Sequence, residues 1–471
     1  MNVDFIKLLD QPDSATTQCA IRIRPPSLPE QRIPTHFILV IDTSESMNDN
    51  SKLENVKHSA SLILHFLGAE DRLTIITFDN ESTIHCSALA CDTKDILAAK
   101  LHDIQTNGCT NLSAGFLRIK EVLDQLAVNR PADLQLKTGV LLLTDGNANR
   151  GVTAKAGILS ILTRLHESYS ALSFHFVGYG TEHNAELLKD MACHSQGSYS
   201  IITDREGAAT VIGDTLGGLF SCVAQTVAVK CPPGATVNGQ YSITNDTIQV
   251  GDLYEGSEPI LLVAVPTAAL AAGITVQGVL LPSMESFSCV LTEPVQQVER
   301  DSGIELTLLR YTCSALFKKV RQLSRPSDIR PLELEIQAFK AKLADTFYNE
   351  NQVADMLRGE CASLEDAFRQ IQSSRHSSDE LSARILQHET FVTLGRGTSQ
   401  GIGYGGGGGH SPVSDEPVNF TAAPPPHTIT SPYRGQTQRR VTHLMASMSV
   451  APSSEAVEEA AQYSQAVGSN D

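Results

Sequence analysis

Two stretches, HFILVID (36–42) and KTGVLLLTD (137–145), constrain this chain most. In the first, apolar residues run unbroken from Phe37 to Ile41 and stop at Asp42; in the second, Val140 to Leu143 lead into Thr144 and Asp145. A strand with one wet face alternates polar and apolar side chains. These do not alternate, so both faces must be covered, as in a parallel sheet flanked by helices.

The segments between them fit that demand. KLENVKHSASLILHFL (52–67) has helical spacing of Leu53, Val56, Leu62, Ile63 and Phe66. DRLTIITF and STIHCS read as strands, and TKDILAAKLHDI and LSAGFLRIKEVLDQLAV as helices. AKAGILSILTRLHES, ALSFHFVGYG, NAELLKDMACHS, GSYSIIT and EGAATVIGDTLGGLFSCVAQ then give helix, strand, helix, strand and helix. The expected fold class is α/β, a doubly wound, mostly parallel, Rossmann-like sheet with helices on both faces. Ligands of such sheets bind outside the carboxyl ends of the strands.

The rhythm changes after about residue 222. TVAVKCP, DTIQVGDLYEG, PILLVAVP, GITVQGVLL and SFSCVLTEP are short strands between Gly, Pro and Asn turns, an antiparallel sandwich pattern. The strand expected at TQCAIRIRP, near residue 20, can complete that sandwich, which makes the α/β unit an insertion. Residues 303–392 read as helices. After 393 the chain becomes GRGTSQGIGYGGGGGHSPVSD and stays rich in Ser, Ala, Gln and Glu, so a disordered tail is expected over 393–471. The expected domains are therefore 1–33 (a strand joining the sandwich), 34–221 (α/β), 222–302 (sandwich), 303–392 (helical) and 393–471 (tail). With 471 residues, more than one core is expected.

Net charge and cysteine usage exclude several function classes. At −17 and a pI near 5.3, the chain lacks the basic footprint of a general nucleic-acid binder. A polybasic membrane anchor is excluded on the same ground. The start, MNVDFIKLLDQPDSATTQ, has no long apolar run of a signal peptide, and the ten cysteines form no C-x-x-C pair. Reduced, buried thiols and a cytoplasmic location are the expectation.

Asp42 stands where the first strand leaves the sheet, and Ser44 and Ser46 follow at steps of two. In an extended run such positions point the same way. Thr110, in TNGCTNLSAG, and Asp145, in LLLTDGNAN, reach the same edge. All five supply hard oxygen donors, which suit Mg²⁺ and not a soft metal. Any one of them alone reads as well as a helix cap or a turn residue.

D-x-S-x-S, then Thr110 before Asn111, then TDG after an apolar strand, is similar to the metal-ion-dependent adhesion site (MIDAS) of von Willebrand factor type A (VWA) domains. The resemblance covers 34 to about 220. It implies that Asp42, Ser44, Ser46, Thr110 and Asp145 hold Mg²⁺ (or Mn²⁺ or Ca²⁺), and that a protein partner offers an Asp or Glu to the cation. Cys109 replaces the family's usual glycine before the threonine, with Gly108 adjacent. Beyond the α/β unit, VGDLYEGSEPILLV (250–263) resembles the β-rich segment of intracellular VWA proteins whose relatives carry RING, U-box or Hint domains. That likeness implies an adaptor or scaffold role in the ubiquitin pathway as the alternative to a cation-dependent protein-binding module.

Catalytic alternatives are weaker. GTSQG (397–401) matches a nucleophile elbow at Ser399, but a glycine run follows where a helix is needed. GIGYGG (401–406) lacks a βαβ unit around it. A phosphatase with Asp42 as nucleophile wants a second acid where Ser44 stands. His85, Cys86, Cys91 and Cys109 have no metal-ligand spacing. Asp79 reads as a turn former. No enzymatic activity is expected.

Overall fold

In the computed structural model of the chain, the described residues are 1–8, 15–27, 33–169, 171–180, 183–195, 197–202, 205–239, 241–281, 283–296, 300–323, 328–373, 379–394, 398–400, 428–430, 436–450 and 453–465. Two strands, β1 (Asn2–Lys7) and β2 (Thr16–Arg24), come first. An alternating run follows: β3 (Thr35–Asp42), α1 (Lys52–Ile63), β4 (Arg72–Phe78), β5 (Ser82–Ala90), α2 (Lys94–His102), α3 (Leu112–Asn129) and β6 (Lys137–Thr144). It continues with α4 (Lys155–Ser168), β7 (Leu172–Tyr179), α5 (Ala185–His194), β8 (Ser198–Ile202) and α6 (Arg205–Phe220).

These strands form one six-stranded sheet in the order β5-β4-β3-β6-β7-β8, parallel except for β5. Counted from its own first strand this is the order 3-2-1-4-5-6 of a doubly wound sheet. Every residue of β3 and β6 is buried, as their unbroken apolar runs require. One core lies between the sheet and α1, α2 and α6, through Leu39, Ile41, Ile63, Phe66, Ile212 and Leu216. The other lies under α3, α4 and α5, through Val40, Phe116, Leu142, Leu162 and Phe176. The strand order reverses between β3 and β6, which opens a crevice at their carboxyl ends. Ile41 faces Leu143 in register, so Asp42 and Thr144 leave the sheet at the same level.

Eight strands follow: β9 (Cys222–Lys230), β10 (Thr236–Val237), β11 (Ile243–Thr244), β12 (Thr247–Tyr254), β13 (Ile260–Pro266), β14 (Ile274–Leu280), β15 (Ser286–Leu291) and β16 (Val295–Gln296). With β1 and β2 they make two five-stranded sheets, β10-β13-β2-β1-β16 and β11-β12-β9-β14-β15. Their inner faces share a core of Cys19, Ile21, Ile23, Val227, Val229, Ile248 and Val263. The strand expected near residue 20 therefore pairs with strands that follow the parallel sheet, and β1 joins it although no strand was expected there. The last helix of the alternating run also ends sooner than expected: α6 stops at Phe220, Ser221 makes the turn, and Cys222 to Gln225 already belong to β9. A buried apolar run cannot be divided between helix and strand by periodicity alone.

The sandwich is pinned to the α/β unit at Lys137. Its ammonium, fully buried, bonds to Asp252 of β12 and to Ser173 Oγ. Burial is the largest single influence and works against that charge, but Asp252, with Cys222 and Tyr254 adding to it, outweighs it and the lysine pKa stands above its ordinary value.

Helices α7 (Ser302–Arg321), α8 (Ile329–Leu343), α9 (Gln352–Ser373) and α10 (Asp379–Leu394) share a core around Phe317, Phe339, Leu357 and Leu364. Lys189 of α5 bonds to Glu389 of α10 at 2.5 Å. A two-stranded ribbon pairs β17 (Thr398–Gln400) with β18 (Thr428–Thr430).

The expected tail needs correction over part of its length. α11 (Gln436–Val450) and α12 (Ser454–Gln465) are helices that pack over α6 and α1. Val441, Leu444, Met445 and Met448 supply an apolar stripe at helical spacing, and that buried stripe offsets the entropy of ordering the segment. Glycines of α6 permit a close crossing: a Cβ at Gly217 would lie 2.8 Å from Gln438 Cα, and one at Gly213 2.7 Å from Met445 Cβ. Tyr463 packs against Phe66 and Phe220. The glycine run at 401–409 lies outside the described residues, as does 410–427.

Candidate metal centre

Asp42 ends β3 with its carboxylate fully buried. Oδ1 accepts the Ser44 backbone N–H at 2.9 Å and Oδ2 accepts the Thr144 hydroxyl at 2.5 Å. Burial pushes its pKa up to about 6 against those hydrogen bonds, and the nearby Asp145 carboxylate adds to the rise. Ser44 is buried, and its hydroxyl lies 3.3 Å from that of Ser46. Ser46 Oγ in turn donates to Asp145 Oδ1 at 2.8 Å. Asp42, Ser44, Ser46 and Asp145 thus form one continuous chain of contacts across the crevice between β3 and β6.

Thr110 arrives from the loop before α3. Its backbone N–H donates to Asn149 Oδ1 at 2.8 Å, and its carbonyl accepts from the Asn149 backbone at 3.1 Å. These bonds tie the loop to the segment after β6. Asn107 N–H to Thr43 O, at 2.6 Å, and Glu45 N–H to Gly108 O, at 3.1 Å, tie it to the segment after β3. Gly108 takes φ +65°, and a Cβ there would strike the Asn80 side chain at 2.1 Å. The glycine one position early supplies the required left-handed turn, so Cys109 is tolerated as an exposed residue. Asn111 then caps α3, accepting from Ala114 N–H at 3.2 Å.

Gly146 leaves a hollow among these groups. A Cβ on it would lie 3.3 Å from Thr110 Oγ1 and 4.0 Å from Ser46 Oγ. The donors around the hollow are hydroxyl and carboxylate oxygens throughout. Among the described residues no group of three or more His, Cys, Asp and Glu could hold a metal, so a cation here would take its protein ligands from these hydroxyls and the two carboxylates, with water completing the shell. That donor set fits Mg²⁺ or Mn²⁺.

Three neighbours escaped sequence reasoning. Thr144 locks Asp42, and its only signal was a hydroxyl beside Asp145. Asn149 sits in the NAN that follows TDG. Lys52 bonds through Nζ to Asp145 Oδ2 at 2.7 Å and reaches the Ser46 carbonyl at 3.4 Å. In the sequence it looked like an ordinary first residue of a helix.

The remaining candidates separate cleanly. Asp79 makes a turn, its Oδ1 accepting from Glu81 N–H at 3.0 Å and its carbonyl from Asn111 at 2.8 Å. His85 bonds to Thr77 at 2.9 Å; burial pushes the Cys86 thiol up to about 11 and Cys91 to about 12. All ten cysteines are free thiols. Ser399 lies on the β17–β18 ribbon, and the residues after Gln400 that an elbow would need are outside the described set. Among the described residues no helix is long and apolar enough to cross a membrane.

Residues 37–147 match the family model of the von Willebrand factor type A domain. Among curated proteins, the chain is 25% identical over 249 residues to the uncharacterized protein YfbK of Escherichia coli; the match covers 50% of this chain and 42% of that protein. It is 23% identical over 263 residues to the E3 ubiquitin-protein ligase WAV3 of Arabidopsis thaliana, over 52% of this chain and 33% of the ligase. The matches therefore span less than half of these relatives. Among solved structures, a von Willebrand factor type A protein from Catenulispora acidiphila superposes with a TM-score of 0.58 at 13% identity, over 83% of this chain and 96% of that one. The α/β unit has the VWA fold.

Proposed function

We propose that the chain is a divalent-cation-dependent protein-binding module. Asp42, Ser44, Ser46, Thr110 and Asp145 hold Mg²⁺ or a similar hard cation, and a partner presents an Asp or Glu carboxylate to it. The hydrogen bond from Ser46 to Asp145 supports this reading most, because it joins the β3 and β6 segments beside the hollow at Gly146. When bound, the cation supplies a Lewis-acidic point for an oxygen ligand. The protein's part is to hold the oxygens ready. Asp42 is fixed by Thr144 and the Ser44 backbone, Thr110 by Asn149, and Asp145 by Ser46 and Lys52. Ser46 and Asn149 are exposed at the rim, so a partner side chain has access.

The test is capture of partners on the immobilised full chain in Mg²⁺, followed by elution with EDTA. A bound protein that elutes with EDTA, and does not bind the Asp42→Ala chain, supports the reading. Binding indifferent to both EDTA and the substitution contradicts it.

A scaffold role in the ubiquitin pathway is the second reading. The likeness to the plant ligase favours it, since that alignment takes in more of the chain than the α/β unit alone. Identification of ligase subunits among the EDTA-eluted partners would join the two readings.

A further inference from the structure

Lys52 opens α1 after an unusual turn. Asn50 and Ser51 both take left-handed conformations, at φ 51° and 56°, although neither is glycine. Such backbone is costly for residues with a Cβ, and two in succession need a reason in the surrounding structure. Their effect is to start α1 with Lys52 beside the crevice. Its ammonium then sits 2.7 Å from Asp145 Oδ2, with the lysine side chain 13% exposed and the carboxylate fully buried.

The charges around the hollow can be counted. Ser44, Ser46 and Thr110 bring none. Asp42 and Asp145 together would cancel a divalent cation, leaving no electrostatic demand for a further anion. Lys52 changes the balance, because with it the loaded site keeps one positive charge. The rim charges Glu45 and Arg150 are opposite in sign and exposed to screening by water.

We infer that Lys52 sets the ligand preference of this site: it weakens the hold on the divalent cation and keeps the loaded site cationic, so that an anionic group from outside is favoured. The inference rests on the metal-site reading given above. It differs from a role as a mere pin for Asp145 in the sign of its effects. Loss of a pin would loosen cation and anion alike. Loss of the charge tightens the cation and loosens the anion.

The test uses the full chain with Mn²⁺ as the cation and acetate as the carboxylate probe. Free Mn²⁺ is read by electron paramagnetic resonance, and acetate binding by relaxation of its methyl protons near the bound ion. Lys52→Met is expected to bind Mn²⁺ roughly tenfold more tightly, through loss of a like charge in a partly desolvated site. Its acetate affinity is expected to fall, and Lys52→Arg should retain both wild-type values. Lys52→Gln carries the same test should the methionine variant fail to fold. Weaker or unchanged Mn²⁺ binding in a folded neutral variant overturns the inference and leaves the metal site standing. Absence of Mn²⁺ binding in the wild-type chain overturns the metal site and the inference with it.

Discussion

Ser46 Oγ and Asp145 Oδ1 lie 2.8 Å apart, although 99 positions separate them in the chain. Their contact exists because β3 and β6 are neighbours at the point where the sheet's strand order reverses. Gly146 completes the arrangement by leaving room between Ser46 and Thr110. Gly146→Val places methyl groups in that room. Mg²⁺ affinity, measured calorimetrically, should fall by roughly tenfold or more, the scale seen when groups supporting a metal site are disturbed. The thermal transition should stay close to wild type. Unchanged Mg²⁺ binding in the valine variant would place the cation elsewhere.

The buried pair Lys137–Asp252 joins the parallel sheet to the sandwich. Lys137→Met alone strands Asp252 without its cation, and should cost about 3–5 kcal/mol in urea unfolding. Changing both partners to apolar residues should recover most of that loss. A double variant as unstable as the single one would count against the ion pair as the source.

α11 crosses α6 where Gly217 meets the Gln438 backbone. Gly217→Leu forces the helices apart, and a stability loss of about 1–3 kcal/mol is expected from overpacking. Limited trypsin digestion should then cut at Arg439 and Arg440, which the docked helix resists. Equal resistance in variant and wild type would contradict the packing described.

His36 is fully buried in β3, its Nε2 2.8 Å from Thr74 Oγ1. Burial, with Arg130 and Arg72 adding to it, lowers its pKa to about 3. The unfolded chain takes up that proton near pH 6.5, and the folded chain refuses it until about pH 3. Between those values the unfolded state binds more protons, so stability falls as pH drops, by up to about 1.4 kcal/mol per unit from this group. His36→Gln should show a shallower loss of stability between pH 6 and pH 4 in urea titrations. An identical slope in both proteins would show that His36 does not supply it.

Much of this was legible beforehand, for physical reasons. The unbroken apolar runs ending at Asp42 and Asp145, bounded by turn residues and alternating with helical patterns, point to doubly covered strands, and the structure sets the D-x-S-x-S segment, Thr110 and Asp145 at one crevice. Lys52 was hidden because a lysine in a helix's first turn is ordinary on any sequence. Its role depends on the Asn50–Ser51 turn, which local propensity disfavours. β1 was missed because NVDFIK is short and carries charges on both faces. α11 does show Val441, Leu444, Met445 and Met448 at helical spacing, but the stripe is brief and follows a long run of Gly, Pro and Ser. Its stability comes from burying that stripe against α6, which lies more than 200 residues away in the chain and whose glycines allow the close crossing.

The most direct measurement is a crystal of the full chain soaked in Mn²⁺, with anomalous diffraction recorded at the manganese edge. One strong peak is expected in the hollow beside Gly146, within bonding distance of the hydroxyls of Ser44, Ser46 and Thr110. That peak is expected to be lost in Asp42→Ala crystals. A peak at another location, or an empty hollow at saturating Mn²⁺, would rule out a cation held by these residues.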